Sequence, residues 1–493
     1  MTIRPLKIFE KRSSTVIVLI TIAIISMIMH YRVFSLDLMS IHVWRQTETQ
    51  STIINFCEED FNILNPKRNE RGNGDGIFRM EFPIMQWIFA IFYKIFGNHV
   101  IISRILSFII GLFSIYGIYE LLKSIFKRKF IALLGAWTFN FSPLFYYYTV
   151  NPIPDNFALC CSIWGTVFFL KWLHRKKYVN LLESGFFLCL GTLAKLPFIL
   201  YFSLPFSFII LRAISRGIKK HEVTGAMTLL IFLVPPAIWY INVIPGWHGN
   251  GILKGILIHD LESSEIFDIL IHNLISTLPE LIINYGSLLF FLSGFYFILK
   301  NKSYKNEFFP IFVIWGIAII IYFIFEMNMI GKTHDYYLFP FLPLIFIIVS
   351  YGVYNLIMTK KKFIIYCSLL LLMILPLTTY LRMKDRWDPK SPGFNKDLLI
   401  YKDNLRRAIP KNELCIAGND KSHFIFFYYI DKKGWGFDDN RITAKQLQEM
   451  IGKGAKYLYS DSRRIDQNPE FMKYFEKEIL HKGSIRVIAL KQE

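Results

Sequence analysis

Apolar runs long enough, or nearly so, to cross a hydrocarbon core of about 30 Å recur about eleven times between Val16 and Tyr380. This recurrence leaves the chain little choice of fold. A segment in lipid must satisfy its backbone polar groups internally, so each run reads as a helix. Spans are expected near 15–34, 100–122, 130–149, 156–172, 180–194, 197–212, 224–244, 281–299, 308–326, 339–357 and 363–381. Alternate tethers are basic: Arg4, Lys7, Lys11 and Arg12 at the start, then 123–129, 171–177, 212–220, 300–305 and Lys360-Lys361-Lys362. By the positive-inside rule these six face the cytoplasm, which puts the N-terminus inside and everything after about Tyr380 outside. Phe82–Phe96 is apolar as well, but counting it as a span moves the tether 123–129 outside and inverts the charge pattern of every later loop. It reads instead as a helix at the outer interface, with Trp87 and Tyr93 at headgroup depth. Val16–Met29 has no small-residue cleavage site after it and reads as a retained first span.

Composition agrees with a multi-pass protein of the cell membrane. Of the residues, 53% are hydrophobic and 17% aromatic, too apolar for a soluble chain of 493 residues. The net charge of +19 does not argue for nucleic acid, because 22 of the 56 Lys and Arg lie in the six basic tethers, where topology and anionic lipid account for them. Four of the six cysteines fall in apolar segments, so no disulfide framework is indicated; a bridge between Cys57 and Cys415 stays open.

From Arg382 onward the composition changes, with 23 basic and 16 acidic residues over 112 positions. This predicts a division into a membrane region, 1–381, and a small extracytoplasmic α/β domain, 382–493. Leu414–Gly418, Lys456–Ser460 and Ile485–Leu490 read as strands, and Ser422–Ile430, Thr443–Ile451 and Pro469–Leu480 as helices. Residues 35–99 form a first large outer loop and 245–280 a second. The second carries Asp260, Glu262, Glu265 and Asp268 before an apolar stretch, Ile269–Leu281, expected to lie at the interface.

The outer segments hold the polar residues that need explaining. Asp37 precedes His42-Val-Trp-Arg-Gln-Thr-Glu-Thr49, where a helix start sets Trp44, Arg45 and Glu48 on neighbouring positions. Gly72-Asn-Gly-Asp-Gly76 matches neither phosphate-loop nor calcium-loop spacing and reads as a turn. Glu81 stands just before the interfacial helix, where a carboxylate costs free energy unless it faces a polar cavity; a helix-dipole role near Pro83 is the competing reading. Asp155, in Asn151-Pro-Ile-Pro-Asp-Asn156, reads as a helix-start charge or a site residue. Lys195 is the one charge between two apolar segments, suited to lipid phosphate or another anion. Gly331-Lys-Thr-His-Asp-Tyr-Tyr337 gathers Lys332, His334, Tyr336 and Tyr337 directly before a span. No two of His42, His248, His259, His272 and His334 have ligand spacing, so no metal site is assigned; a divalent cation is left open.

These pieces, in this order, resemble the GT-C class of multispanning, polyprenyl-phosphate-sugar-dependent glycosyltransferases, glycosyltransferase family 39-like: the bacterial relatives of protein O-mannosyltransferases and of the aminoarabinose transferase that modifies lipid A. The carriers are Trp44-Arg-Gln-Thr-Glu-Thr49, Glu81-Phe-Pro-Ile-Met-Gln-Trp87, Arg104, Pro154-Asp155, Ala194-Lys195 and His334-Asp-Tyr-Tyr337, with Tyr428-Tyr429 and Lys433-Gly-Trp435 resembling an appended outer domain. The chain departs from the family at the acidic pair expected in the first outer loop, where Trp44-Arg45-Gln46 carries no carboxylate. The resemblance implies inverting transfer of a sugar, hexosyl or pentosyl, from a polyprenyl-phosphate donor to a lipid, glycan or protein acceptor on the outer face. It implies a base among Glu81, Asp37 and Glu48, with Glu81 ranked first. It also implies a donor or substrate site drawn from Arg45, Lys195, Lys332, His334, Tyr336, Tyr337 and Asp155. A lipid-linked oligosaccharide polymerase or ligase, a transporter or flippase, and a non-catalytic scaffold are the competing classes; no internal repeat favours a transporter.

Overall fold

The computed structural model describes residues 11–72, 74–247, 255, 262–306, 309–330 and 334–492. They divide into two compact units, one comprising residues up to Phe34, Met80–Ile84 and Arg104–Lys384, the other Ser35–Arg79, Met85–Ser103 and Asp385 onward.

The first unit is helical. Across the described residues, eight helices are long and apolar enough to cross a membrane: Ser13–His30, Val100–Phe126, Pro154–Arg175, Leu196–Arg216, Lys220–Gly246, Ser263–Ile283, Asp335–Ile357 and Lys362–Trp387. Ile84–Phe96, Tyr178–Ala194, Tyr285–Lys300 and Phe309–Phe325 are shorter apolar helices. Large apolar side chains such as Ile28, Ile231, Ile241 and Phe363 are exposed along these helices, as lipid contact requires.

Two expectations change. The run 130–149 is not one helix but Lys129–Asn140 followed by Pro143–Tyr148. Pro143 lacks the N–H that would continue the first helix, and the Ser142 hydroxyl caps the second by accepting the Phe145 N–H. The stretch expected to lie at the interface, Ile269–Leu281, belongs instead to a helical run long enough to span, Ser263–His272 continuing through the wider turns of Asn273–Ile283. Pro279 sits inside that wider stretch, where the missing donor loosens the regular ladder. Helix packing relies on small residues: a Cβ on Gly352 would stand 1.8 Å from the Phe290 carbonyl oxygen, and one on Gly294 2.3 Å from that of Ile348. The helices Tyr285–Lys300 and Leu342–Ile357 therefore approach closely where both carry glycine.

The second unit is built on a five-stranded sheet. Its strands are β1 (Leu414–Gly418), β2 (Lys433–Gly436), β3 (Tyr457–Ser460), β4 (Phe475–Lys482) and β5 (Ile485–Leu490), ordered β2-β1-β3-β5-β4. β1 runs parallel to β2 and β3, while β5 is antiparallel to β3 and β4. The first outer loop adds a parallel bridge at the β2 edge, where Arg71 N–H bonds the Gly434 carbonyl at 2.7 Å and Gly434 N–H that of Asn69 at 3.1 Å. One face packs Ile416, Trp435, Leu447, Leu458 and Ile488; the other packs Tyr428, Tyr429, Tyr459 and Val487 together with Leu38 and Val43 of the first loop.

The helix expected over Pro469–Leu480 is confined to Pro469–Met472, and the rest is strand β4. Its Glu and Lys residues favour helix locally, but Gly483, at φ +60°, makes the tight turn that folds Ile485–Leu490 back on it, and the ladder overrides the propensity. β2 is too short and glycine-rich to stand out in the sequence. Cys57 and Cys415 are free thiols.

Candidate active site

Asp155 and Lys195 meet inside the helical unit. Asp155 occupies the first turn of Pro154–Arg175, where Pro154 pre-sets the backbone and the helix dipole favours a carboxylate. Lys195 terminates Tyr178–Ala194: its backbone is extended, and Pro197 prevents the α-helix from continuing. Its Nζ lies 3.9 Å from Asp155 Oδ1, with Asp155 1% and Lys195 9% exposed. The ammonium also stands 4.9 Å from the ring centre of Tyr337 and 5.6 Å from that of Tyr336, so the cation is held by one carboxylate and two aromatic faces.

The segment His334 to Phe341 supplies that aromatic wall. Asp335 accepts the Tyr148 hydroxyl, and the Tyr336 hydroxyl lies 3.3 Å from His334 Nδ1. Tyr336 and Tyr337 stack edge to face at 5.0 Å. Two further tyrosines fix the backbone: Tyr322 donates to the Tyr337 carbonyl at 3.3 Å and Tyr201 to that of Pro340 at 3.2 Å. Arg104, fully buried, donates to the Val150 carbonyl at 3.1 Å and Asn151 Oδ1 at 2.8 Å, which holds the turn leading into Asp155.

Glu81 is buried and anchored close to Lys195 in the chain's packing. The carbonyl before it, of Met80, accepts the Trp239 indole N–H at 2.9 Å, and the N–H after it, of Phe82, donates to the Leu193 carbonyl at 3.0 Å. Leu193 is two residues from Lys195.

The remaining base and phosphate candidates belong to the second unit. Asp37 accepts from Lys402, Tyr428 and the Leu38 N–H. Burial pushes its carboxyl up, but Lys402 and Tyr428 outweigh this and hold it below the usual carboxylate range, which makes it a weaker base. Arg45 and Glu48, one turn apart on Val43–Glu58, form a buried ion pair at 2.6 Å. Lys332 lies outside the described residues, as do His248 and His259. Within the described residues, no three His, Cys, Asp or Glu side chains converge as metal ligands.

Residues 81–240 match the family model described as dolichyl-phosphate-mannose-protein mannosyltransferase, an interval holding Glu81, Asp155 and Lys195. No curated protein matches the chain in sequence. Solved structures match it along nearly its whole length. ArnT from Cupriavidus metallidurans superimposes with a TM-score of 0.65, covering 96% of this chain and 97% of its own at 11% identity. The same enzyme bound to undecaprenyl phosphate gives a TM-score of 0.66 at 10% identity, covering 97% of this chain and 98% of its own. The Archaeoglobus fulgidus oligosaccharyltransferase, tethered to an acceptor peptide, gives 0.57 at 13% identity, covering 98% of this chain and 74% of its own.

The chain has the GT-C fold.

Within this GT-C fold, one group of the helical unit escaped the sequence reading. Phe309–Phe325 ends at Glu326, which leads into the short helix Met327–Ile330. Glu326 is 6% and Asn328 7% exposed, yet Glu326 Oε2 and both amide atoms of Asn328 lack a hydrogen-bond partner among the described residues. Burial raises the Glu326 carboxyl to about 7, against the pull of Lys195. A lone carboxylate at the end of a very apolar run was the available signal, the same argument that singles out Glu81.

Proposed function

We propose that this GT-C protein is an integral membrane glycosyltransferase that moves a sugar from a polyprenyl-phosphate donor to a lipid, glycan or protein acceptor, with inversion, on the extracytoplasmic face. The observation that carries the reading is the buried Asp155–Lys195 pair under Tyr336 and Tyr337. The leaving group of such a reaction is a lipid phosphate, and the chemistry asks for a fixed cation where negative charge develops rather than for a nucleotide pocket. Lys195 is that cation, Asp155 orients it, and the tyrosine rings keep water from it. Lys332 and His334 are the further polar groups assigned to the donor and acceptor, with Glu81 in the same unit. The sidedness follows from the basic tethers: the N-terminus is cytoplasmic, and the domain after about residue 381 is outside.

Transfer of radiolabelled sugar from a panel of polyprenyl-monophosphate and polyprenyl-pyrophosphate donors, in membranes carrying wild-type protein, tests this. Activity with monophosphate donors, lost in Lys195→Ala at equal protein level, is the expected result. Activity confined to pyrophosphate-linked oligosaccharide points to a polymerase or ligase instead, and transport of the intact lipid without transfer to a flippase.

A further inference from the structure

Among the described residues, nothing pairs the buried polar atoms of the turn Glu326–Asn328. A neutral polar atom buried without a partner costs about 1–3 kcal/mol, and a charged one more, so a turn carrying three such atoms is poor as a structural device. It is linked to the pair already described through Tyr322, whose carbonyl accepts the Glu326 N–H at 2.9 Å and whose hydroxyl donates to the carbonyl of Tyr337, the ring beside Lys195. Lys195 acts electrostatically on Glu326, and Tyr322, one helical turn before it, lies within electrostatic reach of Glu326, Asp155 and Tyr337. The backbone closes the same patch: Met329 and Ile330 N–H groups bond the Glu326 carbonyl at 2.9 and 2.8 Å, and His334 N–H bonds that of Met329 at 3.0 Å. Among the described residues, Lys195 acts on Glu326 directly and Tyr322 adjoins it, with Asp155 and Tyr337 reached through Tyr322. Of these, Lys195 is the cation, and Asp155 already pairs with it.

We propose that Glu326 is the carboxylate that takes the proton of the acceptor hydroxyl, with the Asn328 amide orienting that hydroxyl. This rests on the glycosyltransferase reading. The hydroxyl proton passes to a Glu326 oxygen as the acceptor oxygen bonds to the anomeric carbon. The bond from that carbon to the phosphate oxygen breaks, and its electron pair leaves with the lipid phosphate beside Lys195. A carboxyl poised near neutral pH suits the task, since a base works best when its own affinity for protons matches the medium.

Glu326→Gln keeps the shape and removes only the proton acceptor. The measurement is kcat and KM for transfer from the polyprenyl-monophosphate donor preferred by wild type, from pH 5.5 to 9, with donor binding followed separately by retention of labelled polyprenyl phosphate. The expected result is a fall in kcat of about 10²–10⁴-fold with donor binding retained, and loss of the limb in kcat/KM that rises through about pH 7 in wild type. Glu326→Asp should recover part of the rate, and Asn328→Ala should raise the acceptor KM. Wild-type transfer with Glu326→Gln within threefold of it overturns the assignment and leaves the glycosyltransferase reading standing. Failure of wild type with every donor overturns both.

Discussion

Lys195→Ala is the substitution whose size can be worked from the structure. If an oxygen of the leaving phosphate stands as far from Nζ as Asp155 Oδ1 does, 3.9 Å, one unit of charge there is worth about 4 kcal/mol at an effective dielectric of about 20. Between bound donor and products the phosphate gains one negative charge. Half of that charge developed in the transition state corresponds to about 2 kcal/mol, or about 30-fold in rate, and full development to about 10³-fold. The expected fall in kcat therefore lies between about 30 and 10³, and donor KM should rise as well, because the ground-state phosphodiester already carries one charge. Lys195→Arg should retain a measurable part of the rate; it keeps the charge but not the compact geometry. Radiolabel transfer in membranes, normalised to protein level, reads the loss, and thermal unfolding in detergent controls for the Asp155 carboxylate left behind. A Lys195→Ala protein that is folded and transfers within threefold of wild type refutes the reasoning.

Three further outcomes follow from the second unit. Gly434→Ala should destabilise the sheet by several kcal/mol, on the order of the larger single-residue effects, because its φ is +152° and a Cβ would stand 1.8 Å from the Cys415 carbonyl oxygen; limited proteolysis of the C-terminal segment reads it. Glu48→Gln removes the carboxylate that Arg45 bonds at 2.6 Å in a buried pair, so activity and Tm should fall together, and lost activity at unchanged Tm would instead mark Glu48 as chemical. Glu59 should make the unit acid-sensitive. Burial raises its carboxyl, but bonds from Arg71 and Lys433 hold it down at about 2, from 4.5. Its contribution is then complete above about pH 4.5 and lost as pH falls through about 2, so Tm measured from pH 6 down to 2.5 should drop less in Glu59→Gln than in wild type.

The helical character of the membrane region was legible because lipid permits so few solutions: apolar length specifies helices without any tertiary information. The errors fall where backbone hydrogen bonding is decided locally or at long range. Pro143 breaks 130–149 in a way that hydropathy does not register. Glu476 to Leu480 carry helix-favouring residues, yet pairing with β5 makes them strand. The ion pair of Asp37 with Lys402 was equally hidden, since sequence lists charges but not the distant partner each one finds, whereas that of Arg45 with Glu48 follows from their neighbouring positions on one helix.

The position of the polar residues is less arbitrary than their scatter along the chain suggests. Pro83 follows Glu81 by two residues, Pro154 precedes Asp155, Pro197 follows Lys195 by two, and Pro340 follows Tyr337 by three. A proline starts or stops a helix, and a helix end exposes backbone N–H or C=O groups that need polar company. In a membrane protein such ends are also where a charge costs least, because the span is over or not yet begun. Proline therefore does two things at once: it fixes where the helix gives out, as in the extended backbone of Lys195, and it opens room for a charged side chain beside the freed groups. Glu326 has no such neighbour. Its helix, Phe309–Phe325, gives way to a short second one with no proline at the junction, so beyond its place at the end of an apolar run its carboxylate is revealed by the atoms around it.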